Sequence, residues 1–275
     1  MTESDVLKKE IPSSGELIPV IGMGTWDTFD VGTSRPARDQ LREVLRIFFE
    51  KGGRLIDSSP MYASSERVLG ELLSETNLMP SVFSATKVWI RGQRAGIKQM
   101  DESLALWRIP RFDLMQIHNL LDWEKHLETL KEWKSAGRIR YMGITTSHGS
   151  RHAEMERIML RETIDFVQVT YNLVDRSVED RLLPLAQEKG IAVIANRPFD
   201  GGNLFRRVRG KSLPSWAAEL DCATWAQFFL KFVVSHPAIT CAIPATRRPE
   251  HMADYMGAIS GRMPDAVMRA KMTGF

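Results

Sequence analysis

The stretch that decides the fold runs from position 82 to position 118 and reads VFSATKVWIRGQRAGIKQMDESLALWRIPRFDLMQIH. Its two ends, Val82–Val88 and Phe112–His118, are short and almost continuously apolar, which is typical of parallel strands covered on both faces. The segment between them, Gln93–Trp107, has the length and pattern of a helix. A strand, a helix and a second strand in this order predict one βαβ unit of a parallel sheet.

The same alternation continues along the chain and makes eight strand–helix units. The predicted strands are Val20–Gly24, Leu55–Asp57, Val82–Val88, Phe112–His118, Ile139–Thr145, Phe166–Tyr171, Ile191–Asn196 and Ile239–Pro244. The predicted helices that follow them are Ala37–Lys51, Ser65–Ser74, Gln93–Trp107, Trp123–Ala136, Arg151–Leu160, Val178–Lys189, Thr224–Val234 and His251–Ile259. Eight such units in 275 residues fit the α/β fold class of the (β/α)8 TIM barrel.

The segments outside these units complete the predicted architecture. Val6–Ile11 and Glu16–Val20 read as two short strands joined by a turn, so we expect a short N-terminal β-hairpin at the barrel floor. No linker divides the chain, so residues 1–275 are predicted to form a single domain. The alternative is an open doubly wound sheet with the motif G-x-G-x-x-G after its first strand. Gly22 and Gly24 are present, but the third glycine is missing.

Composition excludes several classes of protein. The formal net charge of +3 is too small to indicate a nucleic-acid partner. Two cysteines rule out a disulfide-dense secreted scaffold. No apolar run approaches the roughly 20 residues that span a bilayer, and the N-terminal residues MTESDVLKKE contain no apolar signal region. These observations predict a soluble, cytoplasmic protein that has no membrane partner.

Four polar side chains stand at or just beyond the ends of three successive predicted strands: Asp57, Tyr62, Lys87 and His118. Each alone has a structural explanation, as a helix cap, a packed ring, a solvated ammonium or a buried imidazole. In a barrel, however, the carboxyl ends of the strands meet at one mouth, where chemistry takes place. Their convergence there favours a catalytic site.

These four groups suit the delivery of a proton to a carbonyl oxygen. Tyr62 would be the acid, and a neighbouring Lys87 ammonium would lower its pKa from the usual value of about 10. Asp57 would hold and compensate Lys87, and His118 would donate a hydrogen bond to the substrate carbonyl. None of the four can supply a hydride, so a cofactor is required.

The chain resembles the aldo-keto reductase superfamily over essentially its whole length. The matching pieces are GMGTW (22–26), Asp-Ser-Ser-Pro-Met-Tyr (57–62), TK (86–87), IH (117–118), GIT (143–145), Gln168, YN (171–172) and IP (243–244). This resemblance implies a (β/α)8 barrel and NAD(P)H-dependent reduction of aldehydes or ketones to alcohols. It also implies a catalytic tetrad of Asp57, Tyr62, Lys87 and His118.

The resemblance further implies a set of cofactor-binding residues: Thr25, Trp26, Asp57, Thr145, Thr146, Gln168, Asn196, Arg197, Pro198, Phe199, Gly202, Leu204, Thr246, Arg247, Arg248 and His251. Two positions depart from the family pattern. The usual Ser-Asn pair after strand five is Thr145–Thr146, and the aromatic residue that stacks on the nicotinamide is replaced by Asn196.

The adenosine end of the cofactor is expected after strand eight. Arg247 and Arg248 enter a helix there, and arginine makes bidentate bonds to phosphate, so we expect NADPH. NADH stays possible, because the common lysine of the family is Ala245 here, its arginine is His251 and its asparagine is Tyr255. The alternative explanation of the two arginines is a solvated helix start.

The substrate cleft is expected to be lined by Trp26, Trp89 and His118, which favours apolar or aromatic carbonyl compounds. The two tryptophans could instead pack in the core. The basic run RRVRGK (206–211) is either a solvated loop or a flap over the anionic cofactor. His148 and His152 have the spacing of a metal pair but no third ligand, so no metal is expected.

An enzyme is the favoured function, acting on a small carbonyl substrate as a monomer or weak homo-oligomer. The alternative is an NADP(H)-binding regulatory subunit with little or no turnover. The complete tetrad favours the enzyme, since a sensor of the cofactor has no need of all four groups.

Overall fold

The computed structural model describes residues 6–274, which form a parallel barrel surrounded by helices. An antiparallel hairpin comes first, with strands β1 (Lys8–Glu10) and β2 (Leu17–Pro19). The barrel strands are β3 (Met23–Gly24), β4 (Leu55–Asp57), β5 (Phe83–Val88), β6 (Phe112–Ile117), β7 (Ile139–Thr145), β8 (Phe166–Thr170), β9 (Ala192–Asn196) and β10 (Cys241–Ala242). The predicted (β/α)8 barrel with its N-terminal hairpin is therefore confirmed.

Ten α-helices are found in the described part of the chain. They are α1 (Arg35–Glu50), α2 (Ser65–Glu75), α3 (Gln93–Trp107), α4 (Trp123–Ser135), α5 (His152–Arg161), α6 (Leu182–Lys189), α7 (Asn203–Arg207), α8 (Trp225–Val234), α9 (Pro249–Tyr255) and α10 (Ala266–Thr273). Helix α6 ends at Gly190, whose φ of 65° favours glycine, and this glycine reverses the chain into β9. No helix within residues 6–274 is long and apolar enough to cross a membrane.

The eight strands pair in sequence order from β3 to β10, and all pairs are parallel. A bridge between Ile21 and Ala242 joins the first strand region to the last and brings the sheet close to full closure. Two backbone hydrogen bonds flank this bridge, from Gly22 N to Ala242 O and from Ala242 N to Val20 O. The barrel therefore has one mouth, which the carboxyl ends of the strands form.

The apolar core has two parts, one outside and one inside the strands. The larger part fills the space between the barrel and its helices. The smaller part fills the barrel lumen with side chains such as Phe83, Tyr141 and Phe166, whose rings pack together. Ile11 and Ile18 of the hairpin region belong to this inner cluster. The hairpin thus covers the floor of the barrel, at the end opposite to the mouth.

The structure corrects several predicted boundaries. Of the predicted strand 239–244, the structure has only Cys241–Ala242 as a strand, although Thr240 N and Ile243 N also donate to the carbonyl oxygens of Val193 and Ala195. Pro244 has no N–H and cannot continue this ladder as a donor. Helix α9 is followed by a 3-10 turn at Met256–Ile259, so the predicted helix 251–259 is two elements. The predicted loop after β9 contains α7 and a 3-10 segment, Ser215–Leu220.

Candidate active site

The period of two along each strand brings the predicted catalytic side chains into the mouth. Asp57 is the last residue of β4 and stands beside Ala85 of β5 in the sheet register. Two residues further along β5, Lys87 points to the same side and stands beside Gln116. His118 comes directly after β6, again two residues on. The structure therefore brings together the strand-end residues that the sequence singled out.

Lys87 and Asp57 form a fully buried ion pair, with 2.6 Å between Nζ and Oδ2. The Lys87 ammonium also donates to the carbonyl oxygen of Ser58 at 2.7 Å. Burial works to lower the pKa of Lys87, but Asp57 and Tyr62 outweigh it and the net shift is upward. Lys87 is consequently a permanent cation at neutral pH, held inside the protein by its carboxylate partner.

Tyr62 lies in the loop between β4 and α2, beside this ion pair. The Lys87 Nζ atom is 5.3 Å from the centre of the Tyr62 ring. Burial raises the pKa of Tyr62, and the charge of Lys87 and its hydrogen bond to the hydroxyl only partly offset this rise. The sequence predicted a net fall, and that direction is wrong because burial outweighs the cation. Tyr62 therefore holds its proton throughout the neutral range.

His118 is a buried, neutral imidazole next to Tyr62. The two rings meet edge to face, with 6.0 Å between their centres. Burial, together with the nearby Lys87 charge, lowers the pKa of His118 to about 3. The Nδ1 atom is 3.0 Å from the hydroxyl oxygen of Ser59. A neutral imidazole carries one N–H, so it can donate one hydrogen bond to an oxygen in the cavity.

Two glutamines support Asp57, and sequence reasoning overlooked one of them. Gln116 Nε2 and Gln168 Nε2 each donate to Asp57 Oδ1 at 3.0 Å. Because two amides and one ammonium bind the carboxylate, its charge is satisfied inside the barrel. A signal was available for Gln116: it lies two residues before His118 within the predicted strand 112–118, and alternate residues of a strand share one face.

A cavity of about 640 Å³ opens above these groups. Asp57, Tyr62 and His118 line its floor, and Thr25 and Trp26 line it from the loop after β3. This volume is within the range of cofactor and ligand pockets. It extends from the tetrad past the carboxyl ends of β7, β8 and β9, where the predicted cofactor residues lie.

Three predicted nicotinamide-binding residues line this cavity together: Thr145, Thr146 and Gln168. Thr145 Oγ1 accepts the backbone N–H of Asn119 at 3.0 Å. The Thr146 hydroxyl is buried and has no hydrogen-bond partner among the described residues. A buried hydroxyl without a partner costs free energy, so this atom suits a polar ligand such as a carboxamide.

Asn196 stands at the end of β9, where the family has an aromatic ring, and it is held by hydrogen bonds. It accepts from Thr170 Oγ1 at 2.8 Å and donates to the carbonyl oxygen of Thr146 at 3.1 Å. Hydrogen bonds on both sides of its amide therefore fix Asn196 at the mouth of the barrel. An asparagine side chain has no aromatic ring to stack on a nicotinamide.

The loop after β9 lines the other side of the cavity with Arg197, Pro198, Phe199 and Gly202. The Arg197 guanidinium packs against Gly201, where an added Cβ would lie 3.0 Å from Nη2. Gly201 and Gly202 both have positive φ, 60° and 89°. The loop thus brings a cation and two flexible glycines to the cavity wall, as expected for a pyrophosphate site.

The remaining predicted cofactor residues lie beside the cavity and do not line it. Leu204 is buried in α7, and Thr246 is buried where it accepts the Arg248 N–H. Arg247 donates to the carbonyl oxygen of Asp27 at 2.9 Å, across the mouth. Arg248 is exposed and pairs with Glu250. His251 packs near the ring of Tyr255, which does line the cavity.

The substrate side of the mouth is apolar and aromatic. Trp26 and Trp89 are 57% and 40% exposed, so neither is a core residue. Trp26, Met61 and His118 line the cavity. Trp89 was predicted to line it as well but lies beside it, with its ring centre 6.2 Å from that of His118. The alternative in which the tryptophans pack in the core is therefore wrong.

Two other motifs of the sequence lie apart from the tetrad. Arg206, Arg207 and Arg209 are exposed at and just beyond the end of α7. His148 lines the cavity, whereas the half-buried His152 begins α5. Within residues 6–274, no group of three or more histidine, cysteine, aspartate or glutamate side chains is placed to hold a metal ion.

Comparison with known proteins agrees with this geometry. The family model described as the aldo/keto reductase family matches residues 20–271. The methylglyoxal reductase YeaE of Escherichia coli (strain K12) is 28% identical over 253 residues, which cover 89% of this chain and 87% of that protein.

Solved structures extend the likeness. An aldo/keto reductase from Klebsiella pneumoniae, crystallised with NADP and acetate, is 25% identical to this chain and superposes with a TM-score of 0.79. The match covers 94% of this chain and 91% of that structure's chain. A second structure from Klebsiella pneumoniae, in complex with NADPH, shares the fold at 24% identity and a TM-score of 0.80, covering 97% of this chain and 94% of its own. The chain therefore belongs to the aldo/keto reductase family of NAD(P)H-dependent oxidoreductases.

Proposed function

We propose that this protein reduces aldehydes or ketones to alcohols with NADPH, using Tyr62 as the proton donor. The observation that carries the proposal is the placement of Asp57, Tyr62 and His118 on the floor of one cavity, with the buried Lys87 ammonium paired to Asp57 and close to the Tyr62 ring. These groups supply an acid, a cation beside it and a neutral hydrogen-bond donor. In a carbonyl reduction, the acid protonates the oxygen, the cation stabilises the acid's conjugate base, and the hydrogen-bond donor polarises the carbonyl.

Each side chain has a defined task in this reaction. The hydride for the carbonyl carbon would come from NADPH when it is bound in the cavity. His118 donates its N–H to the carbonyl oxygen and orients the substrate. Tyr62 donates its proton to the oxygen as negative charge develops there, and the alcohol leaves with that proton. The Lys87 ammonium stabilises the resulting tyrosinate until a proton from water restores it.

Residues on three sides of the cavity fit the proposed cofactor. Thr146 offers its unpartnered hydroxyl and Gln168 its amide to the nicotinamide carboxamide. Arg197 and the glycine loop suit the pyrophosphate. Arg247 and Arg248 are exposed at the outer end and can turn toward a 2′-phosphate. The NADP-bound relative from Klebsiella pneumoniae supports the choice of NADPH.

The substrate side favours an apolar or aromatic carbonyl compound. Trp26, Trp89 and Met61 present apolar surface around the tetrad and are all at least 40% exposed. A substrate that covers these side chains gains the free energy of removing apolar area from water, about 25 cal/mol per Å². A small charged carbonyl compound would gain little from this surface.

Steady-state oxidation of NADPH with a panel of aldehydes and ketones tests the proposal. We expect turnover, with kcat/KM rising from small aliphatic aldehydes to benzaldehyde-like compounds. The alternative, a cofactor-binding regulatory subunit, predicts tight binding of NADPH with no turnover on any member of the panel. That second outcome would overturn the proposed function.

A further inference from the structure

Ser59 contacts the imidazole of His118 at its Nδ1 atom. Its side chain is fully buried, and its hydroxyl oxygen is 3.0 Å from His118 Nδ1. We propose that Ser59 is a positioning residue that donates its hydroxyl hydrogen to Nδ1 and so fixes the single proton of His118 on Nε2. This inference rests on the proposed function only in giving His118 its role toward the substrate.

The direction of this hydrogen bond follows from counting hydrogens. The Ser59 oxygen already accepts the backbone N–H of Met61, at 3.3 Å. Its own hydroxyl hydrogen needs an acceptor, because the group has no access to water. Among the described residues, His118 Nδ1 is the acceptor that the geometry offers. The opposite arrangement, with Nδ1–H donating to Ser59, would leave the serine hydrogen buried without a partner.

Because His118 is neutral, the direction of its hydrogen bond with Ser59 decides which ring nitrogen carries the single proton. Burial lowers the pKa of His118 to about 3, so the ring is neutral and carries one N–H. If Nδ1 accepts from Ser59, that N–H is on Nε2. Nε2 has no hydrogen-bond partner among residues 6–274, and His118 lines the cavity.

The two tautomers would treat a substrate in opposite ways. With the proton on Nε2, His118 donates to a carbonyl oxygen in the cavity. With the proton on Nδ1, the lone pair of Nε2 would face that oxygen and repel it. Ser59 therefore decides whether His118 can polarise the substrate, although Ser59 itself does not line the cavity.

A turn-forming role alone does not account for Ser59. Such a role uses the oxygen as an acceptor for the Met61 N–H and makes no demand on the hydroxyl hydrogen. The proposed role uses both the oxygen of Ser59, as an acceptor, and its hydroxyl hydrogen, as a donor. The two explanations differ in what happens to His118 when the hydroxyl is removed, since only the proposed role changes its tautomer.

The test is ¹⁵N NMR of histidine-labelled protein at neutral pH without cofactor or substrate, with the His118 signals assigned from a His118→Ala variant. In the unmodified protein we expect a pyridine-type Nδ1 and a protonated Nε2. In Ser59→Ala we expect the ratio of the two tautomers to shift toward Nδ1–H by about ten-fold, the effect of losing one buried hydrogen bond. A protonated Nδ1 in the unmodified protein, or an unchanged ratio in Ser59→Ala, would overturn the inference.

Kinetics supply the second measurement and separate this inference from the proposed function. In Ser59→Ala, kcat/KM should fall by the fraction of the Nε2–H form that is lost, with the affinity for NADPH unchanged. The control is Ser84→Ala, which removes a buried hydroxyl bonded to Asp113 near the barrel floor and should alter neither tautomer nor rate. Absence of turnover in the unmodified protein would reject the proposed function. The NMR measurement would still test whether Ser59 fixes the tautomer of His118.

Discussion

Replacing Lys87 by methionine removes the cation from the buried ion pair and keeps most of the side-chain volume. Asp57 Oδ2 then loses the ammonium at 2.6 Å, and the carbonyl oxygen of Ser58 loses its donor at 2.7 Å. Gln116 and Gln168 still donate to Asp57 Oδ1, so half of the carboxylate stays satisfied. Breaking a buried pair costs about 3–5 kcal/mol, and we expect Lys87→Met to lower the free energy of unfolding by about 4 kcal/mol.

The double variant Lys87→Met/Asp57→Asn provides the comparison, because it removes the unpaired charge as well. We expect it to be more stable than Lys87→Met alone by about 2 kcal/mol, since a neutral amide costs less to bury than an uncompensated carboxylate. Equilibrium urea denaturation, followed by circular dichroism and tryptophan fluorescence, measures both differences. A loss below about 1 kcal/mol in Lys87→Met, or a double variant less stable than the single, would refute the buried-pair reasoning.

Two further predictions concern pH and cofactor choice. For reduction, kcat/KM should be independent of pH between about pH 5 and pH 9 and should fall only at more alkaline pH. The reaction requires the proton of Tyr62, and burial raises the pKa of this residue. The pKa of His118 is about 3, so His118 does not change its charge in this range. A loss of activity near pH 6.5 in a pH–rate profile would show that His118 titrates instead. Arg247→Ala/Arg248→Ala should weaken NADPH binding at least about ten-fold and leave NADH binding nearly unchanged, in titrations followed by tryptophan quenching. Equal weakening for both cofactors would contradict a role at the 2′-phosphate.

The barrel could be predicted because its local signals agree with its tertiary structure. Gln93–Trp107 was predicted with the bounds that the structure shows, because Met100, Leu104 and Trp107 recur with the helical period and are buried on one face. Helix α10 was missed because Met272 is its one fully buried side chain, so it has almost no apolar face. Its N-cap was a usable signal: the Asp265 carboxylate accepts the Met268 N–H at 2.8 Å.

The strand-end positions of the tetrad could also be predicted, but its electrostatics could not. The sequence indicates that Lys87 lies near Tyr62. The pKa of the tyrosine, however, depends on how deeply both side chains are buried, and a sequence pattern does not give the extent of burial. Ser59 was overlooked for a related reason. It belongs to a loop, where no periodicity indicates that its hydroxyl meets an imidazole from another strand end.

The catalytic role of Tyr62 is the central claim, and the rate of Tyr62→Phe tests it most directly. This change keeps the ring beside His118 and Lys87 and removes only the hydroxyl that carries the proton. General acid catalysis contributes about 10²- to 10⁴-fold, so we expect kcat for carbonyl reduction to fall at least about 100-fold while NADPH affinity stays nearly constant. A Tyr62→Phe variant that keeps more than about a tenth of the unmodified kcat would contradict the account, because another group would then be donating the proton.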